Sequence, residues 1–205
     1  CIRNDVSKLV HASTGSVYGE STSEVQRETD CLNPISFYGT TKAAGEHYLH
    51  ALAAYHPSFR YSIIRYFHVI GRRQDPSPQA GYVVPTFAVR AWHDLPLEIH
   101  GDGMQVRSFT HVLDDVEANF LLATSSVSDS NVYNAASGIQ VTILDLASRV
   151  MEITKSKSTL EFRDPRPGDI KHFRPSVEKL KSLGAAAPRD FDEALRETVN
   201  SFRPN

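Results

Sequence analysis

Three residues in this sequence could share one proton. Thr14 closes the apolar run that starts at Lys8, and Tyr38 precedes Lys42 by four positions. On a helix that spacing puts the phenol and the ammonium on one face, one turn apart. A phenol, with an ordinary pKa of about 10, is a poor base near neutrality. A neighbouring ammonium favours the phenolate, and a tyrosine tuned in this way can take a proton from an alcohol and return it. The Thr14 hydroxyl, both donor and acceptor, can address the same substrate oxygen. Tyr-x-x-x-Lys also occurs on ordinary solvated helix faces, so the assignment rests on what surrounds the pair.

The surroundings read as a strand, a long helix and a second strand. Lys8–Ser13 is short, apolar and ends in hydroxyl residues, as a parallel strand pointing its C-terminal end at a site would be. A polar surface loop from Gly19 to Pro34 follows. Ser36 then opens a helical pattern through Ala43, His47, Leu52 and Tyr55 that Pro57 stops. Tyr61–Phe67, rich in β-branched and aromatic residues, is the next strand. Such a βαβ unit implies a parallel sheet with a right-handed crossover. It sets Tyr38 and Lys42 at a helix start beside the strand ends that carry Thr14 and His68, where open α/β sheets bind ligands. Beyond Arg72 the elements shorten: helices over 84–92, 113–124, 144–153, 177–183 and 192–202, and extended pieces over 97–100, 106–111, 131–135 and 159–162. In the helix over 113–124 the expected buried side is Val116, Phe120, Leu121 and Ala123. Two lobes with a boundary near Arg72 are expected.

Composition narrows the function classes. Of 205 residues, 40% are hydrophobic and 22% charged, which suits a globular fold with a sizeable core. A net charge of −2 argues against a nucleic-acid partner. No apolar run approaches membrane-spanning length. Two cysteines, Cys1 and Cys31, read as reduced thiols in a cytoplasmic protein. The nine histidines are scattered, and even His47 and His50 lack partners at metal-ligand spacing, so no metal site is expected.

Five segments, in order, resemble the extended short-chain dehydrogenase/reductases that act on nucleotide sugars, of the epimerase/dehydratase type, and most of all the UDP-hexose 4-epimerases. They are Ser13–Gly19, Pro34–Glu46, Arg65–Pro76, Gly101–Asp114 and Arg166–Ile170. The resemblance implies an α/β fold, here the C-terminal part of a Rossmann-type parallel sheet (residues 1–71) with a smaller α/β substrate-binding lobe (mainly residues 72–205). It implies NAD as cofactor and a UDP-sugar as substrate, whose C4 is inverted through a 4-keto sugar. Tyr38 would be the base and Lys42 would bind the nicotinamide ribose. Thr14 would share the 4-oxygen, and Tyr66 and Phe67 would line the cofactor. His68, Tyr82, Val83, Glu98, Ile99 and His100 would meet the substrate. Arg107 and Arg166 would pair with the diphosphate, for which the guanidinium fork is suited, and Asp169 would take a ribose hydroxyl. Relatives commonly form homodimers through two long helices.

This sequence also departs from the family pattern. It has no Gly-rich phosphate-binding turn, and about four strand–helix units, on the order of 100 residues, would be expected before Val6. The 205 residues alone are therefore expected to bind NAD weakly. His68 stands where an amide is usual and would add a titratable group. Ser108 stands where an acid is usual, and Phe173 near a place where a ring may carry a hydroxyl. Gly15 and Ser16 follow Thr14, where dehydratases carry Asp-Glu and decarboxylases tend to carry Glu. That favours epimerisation over a dehydratase, decarboxylase or reductase on the same scaffold. A further alternative is a non-catalytic remnant that binds nucleotide sugar.

Overall fold

The structure is a computed structural model and describes residues 1–21, 23–77, 80–166, 170–171 and 173–204. Its first sheet holds three parallel strands, β1 (Lys8–Thr14), β2 (Arg60–Tyr66) and β7 (Asn131–Ala135), in the order β1-β2-β7. The register aligns their C-terminal ends, with Thr14 opposite Tyr66 and Tyr66 opposite Ala135. Between β1 and β2 runs helix α1 (Phe37–Tyr55). The Ser36 hydroxyl caps it by accepting the Gly39 N–H at 3.1 Å, which satisfies one of the donors that a helix start leaves free.

The two faces of this sheet follow strand alternation. Ile63 packs with Leu49 of α1, whereas Ile64 packs with Ala118 and Leu122 of α3 (Val112–Thr124). A helix of five residues, α5 (Glu178–Ser182), adds Leu180 to the α3 side. The expected inner face of α3 is corrected here. Asp115, Ala118 and Leu122 are its buried residues, and Leu121 is partly covered. Val116 and Phe120 stand 55% and 71% exposed, and Ala123 is exposed as well. The helix carries two apolar stripes, and the sheet takes the one with the small Ala118, which allows close approach.

The remaining elements surround a larger core. Strands β3 (Val69–Ile70) and β6 (Thr110–His111) pair in parallel, as do β4 (Leu97–His100) and β9 (Leu160–Arg163), while β5 (Val106–Arg107) and β8 (Val141–Thr142) pair antiparallel. The stretch expected to be extended over 106–111 is thus two short strands bent at Ser108 and Phe109. Helices α2 (Val83–Trp92), α4 (Ile143–Thr154) and α6 (Phe191–Asn200) pack Phe87, Leu146 and Leu195 into one cluster with Leu97 and Ile99. The chain crosses between the two groups more than once, since β7 and α3 return to the first sheet after β3 to β5. Among the described residues no helix is long and apolar enough to cross a membrane.

Candidate active site

The ends of β1 and β2 open into a cleft of about 1070 Å³ between the first sheet and the larger core. Thr14 enters it from β1, where its hydroxyl caps a 3₁₀ turn (Gly15–Tyr18) by accepting the Ser16 N–H at 3.2 Å. Tyr38 enters from the first turn of α1 and is 55% exposed. Lys42 lies one turn on. Its ammonium sits 5.8 Å from the Tyr38 ring centroid and donates to the Ala12 carbonyl at 2.9 Å. That bond ties the helix to the end of β1 and leaves the remaining ammonium donors for other partners.

Two glycines allow this approach. A Cβ on Gly39 would lie 2.6 Å from the Ser16 carbonyl oxygen, so only glycine lets α1 start this close to the turn after β1. A Cβ on Gly15 would lie 2.4 Å from the Phe67 ring. Phe67 is 1% exposed and is fixed edge-on to Phe173 at 5.9 Å, so it has little room to give.

Beneath the helix runs a buried polar network. Arg65 of β2 donates to both oxygens of Glu46, at 3.0 and 2.6 Å, and to the Tyr18 hydroxyl at 2.7 Å. The Ser13 hydroxyl also donates to Glu46, and Tyr18 donates to Asn134 of β7 at 2.7 Å. All three strands and α1 are thereby joined just under Thr14 and Tyr38.

The residues expected at the site divide as follows. Thr14, Tyr38, Tyr66, Phe67, His68, Tyr82, Val83, Glu98, His100, Arg107 and Arg166 all line the cleft. Tyr66 turns its hydroxyl away from Tyr38, to Asn119 of α3 at 2.8 Å. Ile99 is a correction. It is fully buried in the core, because alternation along β4 turns Leu97 and Ile99 inward and leaves Glu98 and His100 toward the cleft. Asp169 lies outside the described residues. Arg72, Arg73, Arg90 and Gln105 also line the cleft and were not singled out from the sequence. Their signal was faint: Arg72-Arg73 directly after a strand is a weak mark on its own. Among the described residues lining the cleft there are five arginines against two acids, Asp75 and Glu98. A concave surface with that balance favours an anionic ligand.

His68 corrects a second expectation. It holds φ +29°, a backbone region that side chains rarely occupy and that persists where surrounding packing enforces it. Its ring packs against Phe109 at 5.7 Å and Phe173 at 5.1 Å. Burial, then the nearby Arg107 charge, push its pKa down to about 3. His68 is thus a neutral imidazole across the ordinary pH range and does not titrate there. Its Nδ1 has no hydrogen-bond partner among the described residues.

Comparison with known proteins agrees with this arrangement. A family model described as the NAD dependent epimerase/dehydratase family matches residues 1–136. A protein of Methanocaldococcus jannaschii named as a putative UDP-glucose 4-epimerase is 30% identical over 202 residues, which are 98% of this chain and 65% of that protein. The crystal structure of a UDP-glucose 4-epimerase with UDP-glucose from Thermotoga maritima is 35% identical. It superposes with a TM-score of 0.92 over 98% of this chain and 65% of its own. A UDP-glucose 4-epimerase of Thermus thermophilus, solved in complex with NAD, is also 35% identical, with a TM-score of 0.90 over 99% of this chain and 66% of its own. The chain therefore spans about two thirds of the length of these relatives.

Proposed function

Because the chain belongs to the NAD dependent epimerase/dehydratase family, we propose that it forms the substrate-bearing part of a UDP-sugar 4-epimerase that works through a 4-keto sugar. The observation that carries this reading is that Thr14 and Tyr38 open into the same cleft as Arg107 and Arg166. The arginines would grip the diphosphate by charge-assisted hydrogen bonds. With the diphosphate so held, the sugar 4-hydroxyl would meet Tyr38 and Thr14. Tyr38 takes the proton from that hydroxyl and later returns it, and Thr14 shares the same oxygen. Lys42, anchored to the Ala12 carbonyl, keeps a positive charge 5.8 Å from the centre of the phenol ring. Neutral His68 offers a hydrogen bond to the substrate without adding charge.

The residues also fit one end of NAD. Lys42 has ammonium donors to spare for a ribose, and Tyr66 and Phe67 form an aromatic floor to the cleft. When bound, NAD supplies the acceptor and donor of a hydride at the sugar C4. The 205 residues hold no Gly-rich turn for its pyrophosphate, so in this reading residues 1–71 contribute only the nicotinamide side of the cofactor site and residues 72–205 mainly the substrate side. The exposed Phe37, Tyr48, Leu52 and Tyr55 on α1 support pairing of two copies through this helix.

Epimerisation is preferred to dehydration on a steric ground. Position 15 has no space for an acidic side chain, because even a Cβ would meet Phe67, and the Ser16 hydroxyl is engaged with Thr14 at 3.3 Å. Product analysis of the complete enzyme of which this reading makes the chain a part, with NAD and UDP-glucose or UDP-N-acetylglucosamine, tests the proposal. A C4 epimer is expected, and a 4-keto-6-deoxy product would overturn it.

A further inference from the structure

The polar loop that leads into α1 carries one side chain that the chemistry above does not use. Gln26 is 2% exposed, while Glu24, Arg27 and Thr29 around it are exposed. It is held by the stretch 173–176. The Gln26 N–H donates to the Arg174 carbonyl at 2.9 Å, the Gln26 carbonyl accepts the Ser176 N–H at 2.8 Å, and Gln26 Oε1 accepts the Arg174 N–H at 2.6 Å. The backbone bonds form a parallel bridge with Gln26 opposite Pro175. The same loop is tied to the first sheet through Asn134 of β7. Asn134 Nδ2 donates to the Gln26 carbonyl at 3.1 Å and to the Ser176 carbonyl at 3.3 Å, and the Asn134 N–H donates to Glu28 Oε1 at 2.9 Å.

From there the contacts lead to Arg107. The Phe173 N–H donates to the Val106 carbonyl at 3.3 Å, and the Val106 N–H donates to the Lys171 carbonyl at 2.9 Å. The Phe173 ring lies 5.4 Å from the Arg107 guanidinium and edge-on to Phe67 and His68 at 5.9 and 5.1 Å. Phe173 and Arg107 are both buried, and close packing of this kind makes a shift of one a shift of the other. A continuous run of bonds thus joins β7, Gln26, Phe173 and Arg107, from the first sheet to the larger core. The backbone bonds of Gln26 survive any substitution. Its side-chain bond does not, and without it the Arg174 N–H loses an acceptor, which favours a shift of the stretch that carries Phe173.

We propose that Gln26 is a positioning residue for anion binding in the cleft: its side chain fixes the stretch 173–176 against the first sheet, and through Phe173 it fixes Arg107. The proposal rests on the reading of Arg107 as a diphosphate contact. Guanidinium–phosphate hydrogen bonds are demanding in geometry. Tyr38 reaches the cleft from the side of the first sheet, and Arg107 reaches it from the larger core. Their relative placement decides whether a held diphosphate presents a sugar hydroxyl to the phenol. Gln26 acts on that placement only through Arg174 and Phe173, and it is not among the residues lining the cleft.

Calorimetry of UDP binding to the protein, arranged as a double-mutant cycle with Arg107→Met, tests this. Gln26→Met, similar in length but without the acceptor, should weaken UDP by roughly two- to tenfold, the net worth of one hydrogen bond. In the Arg107→Met background the same change should cost nothing further, because the two residues act as one unit. Amide hydrogen exchange at Phe173 should quicken in Gln26→Met, while Ile63 and Ile64 of β2 stay unchanged and show the fold intact. Unchanged UDP affinity in Gln26→Met would overturn the proposal. So would a loss that adds in full to that of Arg107→Met, the sign of a general loosening. A parent protein that fails to bind UDP would overturn the functional reading instead. The exchange measurement then decides the clamp alone: faster exchange at Phe173 supports it, and unaltered exchange overturns it.

Discussion

Replacing Glu46 with alanine should destabilise the fold more than any other single truncation on α1. The Glu46 carboxylate is 1% exposed, and Arg65, its bidentate partner, is 4% exposed at the side chain. Removing one partner leaves a guanidinium buried without its counter-ion, which costs about 3–5 kcal/mol. The Ser13 hydroxyl, which donates to the same carboxylate, loses its acceptor as well, at about 1 kcal/mol or more. Against a total stability of about 5–15 kcal/mol for a typical domain, that is a large fraction. Urea unfolding followed by far-ultraviolet circular dichroism would read it. With a slope of about 2 kcal/mol per molar, the midpoint should fall by roughly 2–3 M. The control is the double variant Glu46→Leu with Arg65→Met. It removes both charges and should lie closer to the parent than Glu46→Ala does, because well-packed apolar replacements of a buried pair are often tolerated. A midpoint shift for Glu46→Ala below about 0.5 M, or a double variant as unstable as the sum of its single changes, would refute the reasoning.

Three further outcomes are expected. In the complete enzyme that the proposed function implies, Tyr38→Phe should lower turnover of the nucleotide sugar by about 10²–10⁴-fold with little change in its binding, measured by steady-state kinetics and calorimetry. Arg107→Met should weaken UDP binding by roughly ten- to a hundredfold, read by calorimetry, since it loses a charge-assisted contact in a partly desolvated cleft. Asp115→Asn should flatten the pH dependence of stability. Burial, then the Asp114 charge, raise the Asp115 pKa from 3.8 to about 8, so the unfolded chain releases this proton first as pH rises. Stability is then lost progressively from about pH 4 to 8, by an amount on the order of several kcal/mol. The Asn variant should have the higher urea midpoint at pH 9 and a similar one at pH 4. Asp114, Glu117, Arg189 and Tyr66 face the same region and remain in both proteins, and an unchanged slope would show that one of them dominates.

What the sequence makes legible depends on how local the cause is. The unit β1–α1–β2 reads directly from residue order, because its strand ends, the Ser36 cap and the stop at Pro57 are all short-range signals. Tyr38 and Lys42 follow from helical spacing, and Thr14 from its place at a strand end. The faces of β4 were also readable, since period-two alternation separates Ile99 from Glu98 and His100. A motif carried over as a block hides that parity, and this is how Ile99 came to stand among the expected substrate contacts.

Other features have causes far apart in the chain. The neutral state of His68 needs Phe109 and Phe173 around its ring and Arg107 beside it, and none of these is its sequence neighbour. The inner face of α3 was ambiguous because apolar residues mark two stripes, and the choice belongs to the sheet that the helix meets. Asp115 is the extreme case. Adjacent to Asp114 in sequence, it reads as one more acid at a helix start, where negative charge is favourable. Its burial to 5% exposure follows from how α3 packs in the folded chain and not from its neighbours in sequence. Local pattern therefore placed Tyr38 and Lys42 on one helix face, whereas the burial of Asp115 arises from long-range packing and shows only in the folded chain.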